Sequence, residues 1–156
     1  MTITTTVSTK LDMKGLTNLA RRMATLAKLQ PKVGFFEDKY DDGMPVAQVA
    51  AWNEHGSRFH PERPFMKETV NSAQTRQAMV RLLVKAAQAS ISGKGNARSI
   101  MAMVGKLLVG EIKATISNYP GHNSLSTIEA KGFDRPLYDT GKMLESVKFM
   151  FAGDKA

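Results

Sequence analysis

Two long amphipathic segments in the middle of the chain limit the fold more than any other feature. Apolar residues recur at spacings of three and four on both sides of the break SGKGN, which predicts two helices over about 66–91 and 100–116. The first helix is predicted to turn Met66, Val70, Ala73, Val80, Val84, Ala87 and Ile91 inward, and the second Ile100, Met101, Val104, Leu107, Leu108, Ile112 and Ile116. A core built on this pair of helices leaves the other elements short.

Shorter elements are predicted before the two long helices. A helix is expected from Gly15 to about Leu29, and the apolar run KVGFFE (32–37) predicts a strand. A second short helix is expected to begin at Pro45 and to end at a left-handed Gly56. The sides predicted to face the core are Leu16, Leu19, Ala20, Met23, Leu26 and Ala27 in the first helix, and Val46, Val49, Ala50 and Trp52 in the second.

The residues after the second long helix predict one helical turn, one short helix and a second strand. Ser126 and Glu129 have the spacing of a capping box, and Gly132 is placed to end that turn. A short helix is expected to follow, capped by Asp139 or Thr140. It passes into a strand whose inward residues are Val147, Phe149 and Phe151.

The order of these elements predicts an α+β fold. We expect a small antiparallel sheet packed against the two long helices and several short ones. Residues 15–152 are expected to form this single domain, after an N-terminal arm or strand (1–14) and before a C-terminal tail (153–156).

Positive charge is concentrated in the middle of the chain. Residues 58–113 carry ten Lys and Arg side chains against three Asp and Glu, and the whole chain has a net charge of +8. Such a bias favours polyanions or acidic protein surfaces as partners. The candidates for non-specific contact with DNA are Lys67, Arg81, Lys85, Lys106 and Lys113, and a solvated helix face is the alternative for each of them.

Residue patterns that commonly carry catalysis or bind metal are scarce. The chain has no cysteine, no Gly-x-Ser-x-Gly turn and no phosphate-binding loop. One loose cluster, His55 and His60 with Glu54 and Glu62, lacks the helical His-Glu-x-x-His spacing of a metal site. No run of 18 apolar residues occurs, and the first residues lack the pattern of a secretory signal. The sequence therefore predicts no enzyme, cofactor, metal or membrane partner, and a protein kept in the cytoplasm where it is made.

Three stretches, taken in order, resemble one protein family. The segments VAQVAAWNEHGS (46–57) and PERPFMKETV (61–70) are similar to the first signature of the tail-completion or minor tail proteins of long-tailed bacteriophages. The segment STIEAKGFDRPLYDTGKMLESV (126–147) is similar to the second signature, and GLTNLARRMATLAKLQPKVGFFE (15–37) resembles the opening helix and strand. His55 departs from the pattern, which more often has Phe or Tyr there.

The resemblance implies a structural subunit of the virion, with no catalysis. It implies a homo-oligomeric ring, expected to be a hexamer, in the neck that joins the tail to the head around the channel for DNA. Its partners would be copies of itself, the head-side connector or stopper protein, and the tail terminator or tail tube protein. Loops 38–45, 56–63 and 120–136 are the expected contacts with the next subunit or with adjoining rings.

The residues of the two signatures are interpreted mainly as fold determinants and otherwise as interface residues. They are Trp52, Asn53, Glu54, Gly56, Arg63, Pro64, Phe65, Lys131, Gly132, Pro136, Leu137, Asp139, Thr140, Gly141 and Leu144. The side chains of Asn53 and Glu54 are expected to bond the backbone of the incoming loop, and Arg63-Pro64-Phe65 is expected to form a rigid entry with a buried ring. A sharp helix start at Asp139-Thr140-Gly141 is expected to let Leu144 and Val147 dock. The sequence leaves two other functions open. One is a tail terminator in the same neck, and the other is a basic DNA-binding protein that acts alone, which the charge of residues 58–113 would explain.

Overall fold

The computed structural model describes residues 12–58 and 60–154. Within them the chain forms seven helices and one two-stranded antiparallel sheet, which confirms the predicted α+β fold. The elements in chain order are α1 (Met13–Lys28), β1 (Pro31–Gly34), α2 (Val46–His55), α3 (Phe65–Asn71), α4 (Ala73–Ser92), α5 (Ala97–Ser117), α6 (Leu125–Lys131), α7 (Lys142–Glu145) and β2 (Lys148–Phe151). In this described part of the chain, no helix is both long enough and apolar enough to cross a membrane.

Helix α1 begins at Met13, earlier than predicted, because Asp12 caps it. The Asp12 carboxylate accepts a hydrogen bond from the Gly15 amide at 2.9 Å. This bond satisfies one of the amides that the first turn of a helix leaves without a partner. The arm or strand predicted for 1–14 lies outside the described residues, apart from this start of α1.

The segment predicted as one helix over 66–91 is two helices, α3 and α4, so that prediction is wrong. Ser72 has an extended backbone, with φ −61° and ψ 138°, and its hydroxyl accepts a hydrogen bond from the Thr75 amide at 3.1 Å. The Ser72 amide donates to the Glu68 carbonyl at 3.0 Å. One serine therefore ends α3 and caps α4. The change of direction brings both helices into contact with α5.

Helix α5 takes part in two hydrophobic clusters. Its second half contributes to the cleft-side core, whose buried members are Val46, Ala50, Phe65, Ile112, Ile116, Leu137, Met143 and Val147. Its first half contributes to the hairpin core, whose buried members are Ala86, Met101, Val104 and Phe151. Helices α2, α3 and α7 thus surround the second half of α5, whereas α4 packs along α5 and α1 packs on α4.

The burial predicted for α4 is wrong for its largest aliphatic residues. Val80, Val84 and Ile91 are predicted inward, but their exposed fractions are 56%, 49% and 55%. The helix instead buries the smaller residues Thr75, Ala86 and Ser90. Small side chains let two helices approach closely, so the hairpin of α4 and α5 forms through them. Val70 on α3 and Ala73 at the start of α4, also predicted inward, are exposed as well.

Helix α1 and Trp52 are also less buried than predicted. Leu16, Ala20, Met23 and Ala27 are exposed, while Leu19 and Leu26 are half-buried. The cause is that α1 packs along α4 alone, so a single narrow side of it is covered. Trp52, predicted on the core side of α2, is 40% exposed.

The sheet joins the two strands in antiparallel register, with Pro31 opposite Phe151 and Gly34 opposite Lys148. Strand β1 is shorter than the predicted 32–37, because the chain leaves the sheet after Gly34. The predicted strand near the C-terminus is confirmed. Phe149 is half-buried and Phe151 is buried, both on the hairpin core.

Two short helices begin at other residues than the sequence indicates. Pro45 is the N-cap of α2 and not its first residue, and Gly56 ends this helix with the predicted positive φ of 71°. Helix α6 is capped by Ser124, whose hydroxyl accepts from the Thr127 amide, and not by Ser126. Gly132 ends α6 in the left-handed conformation, with φ 77°, as predicted.

Candidate functional site

A cleft of about 750 Å³ opens at the end of the molecule that holds α2, α6 and α7. Its walls come from loop 38–45, from α2 and the loop after it, from α6 and the loop before it, and from segment 137–143. Eight residues of the signatures line it, namely Trp52, Asn53, Arg63, Lys131, Leu137, Asp139, Thr140 and Gly141. Two signatures that are far apart in the sequence therefore meet around one cavity.

Glu54 fixes the start of α3 behind this cleft. Its two carboxylate oxygens accept hydrogen bonds from the amides of Met66 and Lys67, at 2.8 and 2.9 Å. A carboxylate is stabilised at this place because the first turn of a helix has free amides and a partial positive charge. The prediction that Glu54 bonds the backbone of the following segment is confirmed.

Asn53 acts differently from its neighbour. Its side-chain amide donates to the Val49 carbonyl of its own helix at 2.9 Å, so the prediction that this side chain bonds the following loop is wrong. The loop is held instead by the Asn53 carbonyl, which accepts from the Arg63 amide at 2.7 Å. A side chain at Gly56 would bring a Cβ atom to 3.0 Å from the Glu62 nitrogen. The tight return from α2 to α3 thus needs glycine at this place.

Pro64 and Phe65 complete the first signature as predicted. Pro64 is the N-cap of α3, and the Phe65 side chain is 0% exposed in the cleft-side core. The ring of Phe65 meets the ring of Phe35 edge to face, with centroids 6.2 Å apart. The rigid approach and the buried ring anchor the loop that carries Arg63 to the cleft.

Besides Gly132, two residues of the second signature have a positive φ. Leu137 has a positive φ of 59°, and its side chain is buried in the cleft-side core. No other non-glycine residue among 12–58 and 60–154 has a positive φ. Gly141, with φ 84°, is the N-cap of α7, in the role predicted for Asp139 or Thr140. That prediction is wrong because the chain turns through a left-handed conformation there, which glycine adopts most readily. The Thr140 hydroxyl still accepts from the Lys142 amide at 3.3 Å.

The other residues of the second signature are structural. The Lys131 ammonium donates to the Arg135 carbonyl at 3.0 Å, which closes the turn after Gly132. Pro136 is buried, and Leu144 packs against the cleft-side core from a half-buried position. The predicted docking of the residues after Gly141 onto the core is confirmed.

Charged groups around the cleft change the pKa values of two side chains. Burial raises the pKa of Tyr40, and the nearby carboxylates of Asp139 and Asp42 raise it further. Burial lowers the pKa of Lys131, while Asp139 acts in the opposite direction. A phenol, two carboxylates and an ammonium group therefore share this end of the molecule.

No family model, curated protein or solved structure matches this chain. The motifs and the cleft that they surround therefore carry the functional argument.

The histidines make no metal centre in the described residues, where no group of three His, Asp or Glu side chains is close enough to hold an ion. Glu54, a member of the loose cluster seen in the sequence, is bonded to the start of α3. His122 lies in the cleft wall, with its Nδ1 atom 2.6 Å from a carboxylate oxygen of Asp134. The Asn123 amide and His122 bond this carboxylate and hold its pKa below the usual range.

The five candidates for DNA contact are spread over α3, α4 and α5. Lys67, Arg81, Lys85 and Lys106 are exposed, and Lys113 is half-buried. Among the described residues, none of the five forms an ion pair. They line no part of the cleft.

The sequence did not single out Tyr40, Met44 or Asn123, which also line the cleft. Tyr40 is held by hydrogen bonds within loop 38–45, since its amide donates to the Met44 carbonyl at 2.9 Å. The Asn123 side chain accepts a bond from Arg63 at 3.4 Å, which links the first signature to the loop before α6. The sequence indicated only that the loops that hold these residues, 38–45 and 120–136, contact the next subunit or adjoining rings.

Replacing Glu54 with glutamine is expected to lower the free energy of unfolding by about 1 kcal/mol. The variant keeps one acceptor for the amides at the start of α3 but loses the charge that favours this helix end. The measurement is urea unfolding followed by circular dichroism. Glu62→Gln is the matched control, because Glu62 is exposed in the loop between α2 and α3 and its side chain forms no hydrogen bond or ion pair with the described residues. Equal unfolding midpoints for the two variants would contradict the role of Glu54.

Proposed function

We propose that this chain is a structural virion protein, a subunit of the tail-completion ring in the neck of a long-tailed bacteriophage. The ring joins the tail to the head-side connector and surrounds the DNA channel. The observation that carries the proposal is the cleft, because the residues of both family-like signatures converge on it.

The polar residues of the signatures support a structural role. Glu54 bonds the start of α3, Asn53 bonds its own helix, and Lys131 bonds the Arg135 carbonyl. Their hydrogen-bonding groups are used within the chain, where they hold α2, the start of α3 and the turn after α6. Loops held on a rigid scaffold are suited to contact with a neighbouring subunit.

Exposed apolar side chains give further support. Trp52 stands at the cleft with 40% of its surface exposed, and Leu125 at the start of α6 has 80% exposed. Tryptophan is enriched at protein interfaces, where its large ring fills a pocket of the partner. We therefore expect this end of the molecule to be covered in the assembled neck.

The test is a deletion of the gene from the phage that encodes the chain, followed by negative-stain imaging of the particles. Heads and tails are expected to accumulate unjoined, and the wild-type gene supplied from a plasmid should restore joined, infectious particles. Normal particles from the deletion strain would overturn the proposal. Tails of uncontrolled length would instead indicate a tail terminator in the same neck.

A DNA-binding protein is the second candidate, favoured by the exposed and unpaired cations Lys67, Arg81, Lys85 and Lys106. A titration of duplex DNA at several salt concentrations separates the two functions. Tight binding at physiological salt with a steep salt dependence would support the second candidate. Negligible binding of the isolated protein is the result expected for a ring subunit.

A further inference from the structure

One face of α4 leaves an apolar stripe uncovered. Val80, Leu83, Val84 and Ile91 are 56%, 44%, 49% and 55% exposed. Their spacing along the helix places them on one side, where no other element of the described chain covers them. Contiguous exposed apolar residues of this kind mark a surface that meets a partner.

The charge next to this stripe limits what that partner can be. Helices α1 and α4 contain seven Lys and Arg residues and no Asp or Glu. Arg81 and Lys85 are exposed beside the stripe. Two copies that met through this same face would bring like charges together without a carboxylate between them, which is unfavourable. The partner surface must therefore be acidic and different from this one.

The chain itself has an acidic surface at its other end. Asp41 and Asp42 are exposed in the segment 37–42, which we call the acidic loop because its four carboxylates outnumber the one cation, Lys39. The exposed Trp52 lines the same cleft as Asp42. The acidic loop leads into α2 and the cleft-side core, whereas α4 belongs to the hairpin core.

We propose that the apolar stripe of α4, with Arg81 and Lys85, binds the acidic loop and Trp52 of the next copy of the chain. This inference rests on the proposed function as a ring subunit and identifies the contact that would close the ring. Each subunit offers one surface of each kind, so the interface is heterologous, and repeated heterologous contacts produce a ring when the rotation closes. The aliphatic stripe supplies apolar area, and the opposite charges select the orientation.

Charge reversal on each surface tests the contact. The stripe variant carries Arg81→Glu and Lys85→Glu, the loop variant carries Asp41→Lys and Asp42→Lys, and a combined variant carries all four substitutions. Sedimentation velocity over a concentration series gives the state of association, and circular dichroism verifies that each variant is folded. All four positions are exposed, and the one hydrogen bond that the substitutions remove is local, from the Met44 amide to the Asp42 carboxylate, so the fold is expected to be retained.

The wild-type chain is expected to self-associate, and each two-residue variant alone should associate at least about tenfold more weakly. The combined variant, and an equal mixture of the two separate variants, should regain association because opposite charges face each other again. A monomeric wild-type chain, or variants that associate like wild type, would overturn the inference. So would a combined variant that fails to recover.

The association experiment tests the contact between subunits, and the deletion experiment tests the function in the neck, so the two can fail separately. If the two-residue variants still form rings and still restore joined particles to the deletion strain, the subunits meet through another surface and the neck function stands. If the deletion strain produces normal particles, the proposed function fails whatever the association data show.

Discussion

Replacing Phe65 with alanine is expected to lower the free energy of unfolding by about 3–5 kcal/mol, the usual cost of removing a buried aromatic side chain. Phe65 is 0% exposed and lies among Ile112, Ile116 and the ring of Phe35. The loss is a large part of the ~5–15 kcal/mol that stabilises a typical domain. Urea unfolding followed by circular dichroism gives the midpoint and the slope.

Two controls define this result. Phe65→Leu keeps most of the buried volume, so its loss should be clearly smaller, and it remains measurable even if the alanine variant does not fold. Leu125→Ala removes a side chain that is 80% exposed and should change the free energy of unfolding by less than about 0.5 kcal/mol. A midpoint for Phe65→Ala equal to that of Leu125→Ala would show that Phe65 is not an anchor of the cleft-side core.

The same substitution at two glycines of α5 is expected to have opposite effects. A Cβ atom at Gly105 would lie 2.6 Å from Cγ and 3.1 Å from Cβ of Phe149, so Gly105→Ala should push β2 away from the helix. We expect a net loss of about 1–2 kcal/mol, because overpacking outweighs the gain in helix propensity. At Gly110, which is exposed, a Cβ atom would meet nothing within 4 Å.

Gly110→Ala is therefore expected to raise the free energy of unfolding by about 0.5–1 kcal/mol, the propensity difference alone. Thermal unfolding of the two variants beside wild type, in one buffer, measures both effects. A stabilising Gly105→Ala would mean that β2 does not press on α5 as the distances indicate.

Helices and helix ends were predicted correctly where one local property of the sequence, such as apolar periodicity or a glycine, determines them. The periodicity of residues 100–116 predicted α5, and four of the seven residues predicted inward, Met101, Val104, Ile112 and Ile116, are buried. Gly56 and Gly132 end their helices as expected, because a positive φ is a local property of the chain.

The burial of α4 could not be read from periodicity, because this helix carries two stripes of residues at helical spacing. One holds the large Val80, Val84 and Ile91, and the other holds Thr75, Ala86 and Ser90. Hydrophobicity alone predicts that the first stripe is buried. The second stripe is buried instead because its small side chains let α4 approach α5 closely, and this depends on tertiary packing. The break at Ser72 was missed for a related reason, since apolar spacing continues through it while the serine caps a new helix.

The residues of the candidate site were predicted better than their arrangement. The sequence identified Glu54, Phe65, Leu137 and Gly141 as determinants of the fold, and each has a structural role. It did not indicate that the two signatures share one cleft, because that depends on how α2 and α7 are brought together at one end of α5.

The sheet has a consequence for how the chain folds. Strands β1 and β2 come from opposite ends of the described chain, and their pairing closes a loop that contains α2 to α7. Closing so long a loop has a high entropic cost, which must be offset by helices that have already packed. We therefore expect the sheet to form late in folding, after the helices have packed, and to stabilise the packed helices.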